Sequence, residues 1–182
     1  MIELRDVSLA FDGKAVFERF SLALPSEGIT CISGPSGRGK TTLLRLLAAL
    51  LIPDSGEISG LPQKPALMFQ EDRLLPWLSA LDNVAAVSDR GAAAKWLEAV
   101  ELSEAAGLLP VELSGGMRRR AALARALAYP GDFLLLDEPF TGLDPALTER
   151  AAALVRERGL PAIVVTHAVT EAELLGGRVM EI

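Results

Sequence analysis

The stretch Gly34-Pro35-Ser36-Gly37-Arg38-Gly39-Lys40-Thr41 reads GPSGRGKT, a glycine, four free positions and then Gly-Lys-Thr. This pattern has its meaning only between an entering strand and a leaving helix, and both flanks comply. An apolar, strand-like run at 29–33 enters it, and a helical run at 41–51 leaves it. Glycines let the backbone curl so that successive N–H groups face one point, a nest for phosphate oxygens. The helix adds its positive N-terminal end. Lys40 would reach the β and γ phosphates of a nucleotide, and the Thr41 hydroxyl would sit on Mg²⁺. The residues expected around the phosphates are therefore Gly34, Pro35, Ser36, Gly37, Arg38, Gly39, Lys40, Thr41 and Thr42.

A chain of 182 residues has room for one such α/β domain and its core. The net charge of −6 argues against a nucleic-acid surface. One cysteine excludes an internal disulfide framework, and Cys31, inside the strand before the loop, reads as a buried thiol. The first residues, MIELRD, lack a secretory apolar stretch. The apolar run at 43–52 is interrupted by Arg45 and is too short to span a bilayer.

Upstream, residues 2–11 and 15–24 read as two antiparallel strands joined at Asp12-Gly13. Phe11 fits two readings, ordinary core or a flat face for an adenine ring, and nothing in the residues separates them. Downstream, a short strand at 57–59 precedes the buried strand 66–69, which delivers Gln70 to its carboxyl end, where open α/β sheets bind ligands. Gln70 can donate and accept, and so can hold a water or touch Mg²⁺. Residues 80–87 and 92–106 read as helices of a small inserted subdomain at 71–112, continuing into a helix over 113–129. Leu74, Leu75 and Trp77 around Pro76 serve either a protein partner or the local core.

Ser114 is a good N-cap for that long helix, and Gly115-Gly116 leave its end bare, a second place for an anion. Arg118-Arg119-Arg120 is too short a basic run for nucleic acid in an acidic chain. Four apolar residues then end in Asp137-Glu138. Strand alternation sends the two carboxylates to opposite sides, one for the Mg²⁺ water shell and one to polarise a water at the γ-phosphate. The turn at 142–145 contains Asp144, and a strand at 161–166 delivers His167, the only histidine, to the same edge. A last helix at 168–175 and strand at 178–182 follow.

Taken together, GPSGRGKT, Gln70, LSGGM at 113–117, FLLLDE at 133–138, GLD at 142–144 and His167 resemble the nucleotide-binding domain of ABC transporters over essentially the whole chain. LSGG before the acidic strand separates this family from other phosphate-loop proteins. The resemblance implies a P-loop NTPase sheet core of the ABC ATPase type, with an N-terminal antiparallel β part and an inserted helical subdomain. It implies ATP and Mg²⁺, with Phe11 stacking on adenine, Thr41, Gln70 and Asp137 around the metal, Glu138 as hydrolytic base, and His167 as γ-phosphate switch. It assigns Ser114, Gly115, Gly116 and Asp144 to an ATP-dependent, head-to-tail homodimer in which one copy completes the other's site. It further implies a transmembrane permease, a solute-binding protein in the complex, and a place on the inner face of the cell membrane. Residues 68–84, MFQEDRLLPWLSALDNV, resemble the nitrate, sulfonate and taurine importer branch. Two positions depart from the family: Arg119 stands where glutamine is common, and Ala168 where aspartate usually follows the switch histidine. The rival reading, a soluble ABC-type ATPase of nucleic-acid repair or translation, predicts a basic surface or added coiled coil.

Overall fold

The computed structural model describes residues 1–182 and contains two sheets. Strands β1 (Ile2–Phe11) and β2 (Lys14–Leu24) form the hairpin expected from their alternation, with Phe11 opposite Lys14 and Ile2 opposite Leu24. Asp12 and Gly13 both take positive φ, 48° and 77°, as a two-residue hairpin turn requires. The short strand β4 (Ser55–Ser59) pairs with the other edge of β1, pointing Leu4 at Ile58.

The second sheet is parallel, in the order β5 (Pro65–Met68), β6 (Phe133–Asp137), β7 (Ala162–Val165), β3 (Ile29–Ser33), β8 (Arg178–Glu181). Its central strands, β6 and β7, are buried along their whole length, which is why they read as unbroken apolar runs rather than alternating ones. One face, with Ile32, Leu135 and Ile163, packs on Leu43, Leu44, Leu46 and Leu47 of helix α1 (Lys40–Leu47) and on the N-terminal sheet. The other face, with Leu134, Leu136 and Val164, is covered by α4 (Gly115–Ala128), α5 (Pro145–Glu157) and α6 (Val169–Leu175). A third core joins α2 (Ala80–Ala85) and α3 (Arg90–Ala99) to the opposite side of α4 through Val84, Leu97, Val100 and Ala124. Helix α4 thus belongs to two cores at once.

Several boundaries differ from the sequence expectation, each for a local reason. Helix α1 stops at Leu47, short of residue 51, because Ala49 turns left-handed at φ 55°. Helix α3 begins at Arg90, two residues early, because Asp89 accepts from the Ala92 N–H at 2.8 Å and caps it. It ends at Ala99 rather than 106, with Glu101 left-handed at φ 58° and a single 3₁₀ turn at Ser103–Ala105 beyond. Helix α2 stops at Ala85, two residues short of the expected end.

The question of Leu74, Leu75 and Trp77 receives a divided answer. Leu74 packs against both neighbouring cores, whereas Trp77 is 71% exposed. Buried Asn83 holds this geometry: its Nδ2 donates to the carbonyls of Leu75, Leu78 and Ser79, and its Oδ1 accepts from the Leu75 N–H. Both ends of that amide are bonded to the loop's main chain, so the loop has a fixed form.

Candidate functional site

The carboxyl ends of β3, β5, β6 and β7 open on one cleft of about 290 Å³, walled by Ser36, Gly37, Gly39, Lys40, Thr41 and Thr42 from the loop. Gln70, Asp137, Glu138 and His167 close the other side, with Val16 and Val165 as its apolar surface. Parallel strands all deliver their ends to the same edge, so residues separated by more than a hundred positions meet there. Gly39 sits at φ 88°, and a Cβ on it would come within 2.8 Å of Phe17 Cζ and Val16 Cγ1. Only glycine can make this turn against that neighbour.

Lys40 is buried, and its Nζ donates to the carbonyls of Gly34 and Pro35, both at 2.8 Å. The ammonium is therefore held over the nest. Arg38 is exposed and takes no part in the wall. Thr41 Oγ1 donates to Asp137 Oδ2 at 2.6 Å. Burial pushes the Asp137 carboxyl up from the ordinary carboxylate range; the Thr41 hydrogen bond pulls it down, nearby Glu138 pushes it up, and Arg119 and Arg45 pull it down. A bound cation would reverse that balance. Mg²⁺ binds through one or two protein oxygens, with water and phosphate completing its shell, and the Thr41 hydroxyl beside the Asp137 carboxylate is such a donor set.

Glu138 lies one residue past the strand, and here the alternation expected from sequence fails. It is not on the opposite side of a pleat; its backbone turns left-handed at φ 50°, a conformation costing a non-glycine residue about 1–3 kcal/mol. The turn swings its carboxylate into the same cleft as Asp137. There His167 Nε2 stands 3.0 Å from Glu138 Oε1, while Gln70 Nε2 and Thr141 Oγ1 each lie 3.4 Å from Glu138 Oε2. Thr141 was not legible in advance, since a threonine in a polar turn carries no pattern of its own.

Phe11 is 43% exposed, which removes the core reading, and it lies outside the residues that wall the cleft. Ser114, Gly115, Gly116 and Asp144 are likewise outside it. They form a separate place: a Cβ on Gly116 would meet the Gly142 carbonyl at 3.4 Å, which sets the start of α4 against the turn before α5. Ser114 Oγ accepts from the Met117 N–H and Asp144 Oδ1 from the Leu147 N–H, so each caps its helix. Arg118, Arg119 and Arg120 are internal fasteners rather than a surface stripe. Arg118 donates to the Leu113 carbonyl, Arg120 to those of Val100 and Glu101, and Arg119 is buried.

Comparison with known proteins agrees with this geometry. The family profile described as ABC transporter matches residues 17–141. The chain is 43% identical to the aliphatic sulfonates import ATP-binding protein SsuB 1 of Paracoccus denitrificans, over 98% of this chain and 78% of that one. It is 38% identical to the intermembrane phospholipid transport system ATP-binding protein MlaF of Escherichia coli, over 94% of this chain and 74% of that one. Among solved structures it matches the ATP-binding cassette MJ0796, as a dimer bound to ADP and Pi, with a TM-score of 0.88 and 29% identity. That match covers 100% of this chain and 94% of the other. With the phosphate nest, the hydroxyl–carboxylate pair and the Gln70–Glu138–His167 cluster on one edge of such a sheet, the chain belongs to the ABC transporter family, among its ATP-binding ATPase subunits.

Proposed function

We propose that this chain hydrolyses ATP with Mg²⁺ in a head-to-tail dimer and thereby drives movement of a small solute through a separate membrane permease. The observation that carries the reading is Glu138, held by its left-handed turn beside Gln70 and His167 in the cleft that Lys40, Thr41 and Asp137 also line. Lys40 and the loop amides bind the β and γ phosphates; Thr41, Asp137 and Gln70 would hold Mg²⁺, whose charge offsets that of the phosphates. Glu138 accepts a proton from the attacking water as its oxygen bonds to the γ-phosphorus and the bridging oxygen leaves with ADP. His167 and Gln70 fix the direction of that carboxylate. Catalysis of this kind rests on positioning and charge rather than covalent chemistry.

Ser114, Gly116 and Asp144 find their role in a second copy. They lie apart from their own cleft; in a twofold pairing Ser114 and Gly116 would meet the partner's γ-phosphate, and the loop carrying Asp144 would cross the interface. The solved dimer of MJ0796 with ADP and Pi supports this assembly as the one to test. We read residues 71–112 as an inserted helical subdomain, with exposed Trp77 facing the permease at the cytoplasmic side of the membrane. No helix of the chain is long and apolar enough to cross a membrane; in this reading the chain meets the membrane by docking on the permease. The relatives named for sulfonate import make aliphatic sulfonates the first solutes to assay, with a solute-binding protein included in the reconstitution.

The test is Glu138→Gln, which keeps the size and one accepting oxygen but removes the base. Phosphate release should fall by about 10²–10⁴-fold while Mg-ATP still binds. In sedimentation the variant should pass from monomer to dimer when Mg-ATP is added. Unchanged turnover would remove Glu138 from the base role, and a monomer at high protein and nucleotide concentration would contradict the shared sites.

A further inference from the structure

We infer that Arg119 is a positioning residue for hydrolysis, one guanidinium that sets the backbone angles of both Gln70 and Glu138. The inference rests on the reading of Glu138 as the base, and it starts from a buried charge. Arg119 is 4% exposed, yet apart from Asp72 its partners are main-chain carbonyls rather than side chains of the cleft. Its Nη1 donates to the carbonyls of Phe69 and Gln70 at 3.1 and 2.8 Å, and to Asp72 Oδ1 at 3.0 Å. Its Nη2 donates to the carbonyl of Asp137 at 2.7 Å and to that of Glu138.

The choice of carbonyls matters. The Phe69 and Gln70 carbonyls belong to the two peptide planes on either side of Gln70, and φ and ψ of Gln70 are the angles between those planes. The Asp137 and Glu138 carbonyls bracket Glu138 in the same way. Each nitrogen of the fork therefore pins one residue's two flanking peptides. The two residues so pinned are those whose side chains approach each other at 3.4 Å in the cleft. The left-handed turn of Glu138 needs such external hold, since it is unfavourable on its own. A rigid planar fork with several donors suits the task, and a lysine point charge does not. The guanidinium takes this position while leaving its buried Nε without a partner, so the Nη contacts dictate where it sits. Asp72 supplies the countercharge, and Arg125, donating to the Asp72 and Arg73 carbonyls, holds that segment in reach.

Arg119→Gln tests the assignment, since glutamine is shorter and its single amide nitrogen cannot span both strand ends. Phosphate release should fall by about tenfold or more, with affinity for a fluorescent ATP analogue unchanged within about twofold. Arg119→Lys should behave like the glutamine variant, not like the native chain. In the Glu138→Gln background the same change should cost less than about threefold, because the group it positions is gone. A full additive loss there, or native turnover in Arg119→Gln and Arg119→Lys, would overturn the inference. If Glu138→Gln itself kept native turnover, the hydrolytic reading would fail instead. The unaltered protein provides a test that needs no variant to fold. By NMR the Arg119 Nη protons should appear as separate, slowly exchanging signals; a single averaged signal from free rotation would overturn the assignment.

Discussion

Replacing Asp137 by asparagine should make the protein more stable and less active, and the size and pH range of the gain follow from the site. Asp137 is 2% exposed as a residue, and burial is the leading cause of its raised pKa. Its oxygen accepts from Thr41 at 2.6 Å, a bond that an asparagine carbonyl preserves. The substitution therefore removes a poorly solvated charge and little else. At neutral pH, without nucleotide or metal, the expected gain is about 1 kcal/mol, typical of relieving strain at a functional site. For a chain of this size that raises Tm by about 2–4 °C. The sign with pH is determined by the direction of the shift. A carboxyl with raised native pKa holds its proton longer folded than unfolded, so native stability falls as pH rises from the ordinary value of about 4 through the raised one. Asparagine skips that loss. The advantage of the variant should be complete above the raised value and vanish on acidification towards pH 4. Melting curves from pH 4 to 8 read this directly, and Mg-ATP turnover of the same variant should fall by about 10²-fold or more. An advantage that grew on acidification, or a variant less stable at neutral pH, would refute the argument that burial of the Asp137 charge outweighs its favourable contacts.

Other sites give independent expectations. The Cys31 thiol is fully buried and burial pushes its pKa up to about 11, so a thiol reagent at pH 8 should leave it untouched until the protein unfolds. Rapid labelling of the native chain would show that β3 opens. Trp77→Ala should leave Tm and basal ATPase activity near native, the stability change staying within about 0.5 kcal/mol, while lowering permease-coupled transport. Equal loss of basal and coupled activity would place Trp77 in the fold rather than on a docking surface.

Most of the fold is written in local patterns that survive packing. The hairpin comes from alternation and an Asp-Gly turn, and the central strands from short apolar runs that exceed nothing a strand needs. What escaped was termination. Ala49 and Glu101 end or interrupt helical stretches by turning left-handed, although neither residue type favours that conformation. The bonds that close these turns, from the Leu50 N–H to the Arg45 carbonyl and from the Leu102 N–H to the Leu97 carbonyl, are made by main chain alone, so no residue type announces them. Asn83 is similar: as a residue it reads as a helix-surface amide, yet it is fully buried and shapes the loop that exposes Trp77.

The site divides along the same line. That Lys40, Thr41, Asp137, Glu138 and His167 share one cleft was legible because residue type and place agree: a lysine after the glycine loop, a carboxylate past an apolar strand, a histidine past another. Arg119 has type without place. In sequence it is the middle of three arginines, indistinguishable from Arg118 and Arg120, and charge counting treats all three alike. Only the packing of α4 between two cores decides that position 119 faces the sheet ends while its neighbours fasten carbonyls at either side. A buried arginine with no matching carboxylate one turn away would be an error in most helices. Here the strand ends supply the missing acceptors, because parallel strands all leave their last carbonyls at one edge. The same edge that gathers the side chains of the cleft therefore also gathers carbonyls that a guanidinium can collect. A departure from pattern in the helix that packs there is thus a departure at the site itself.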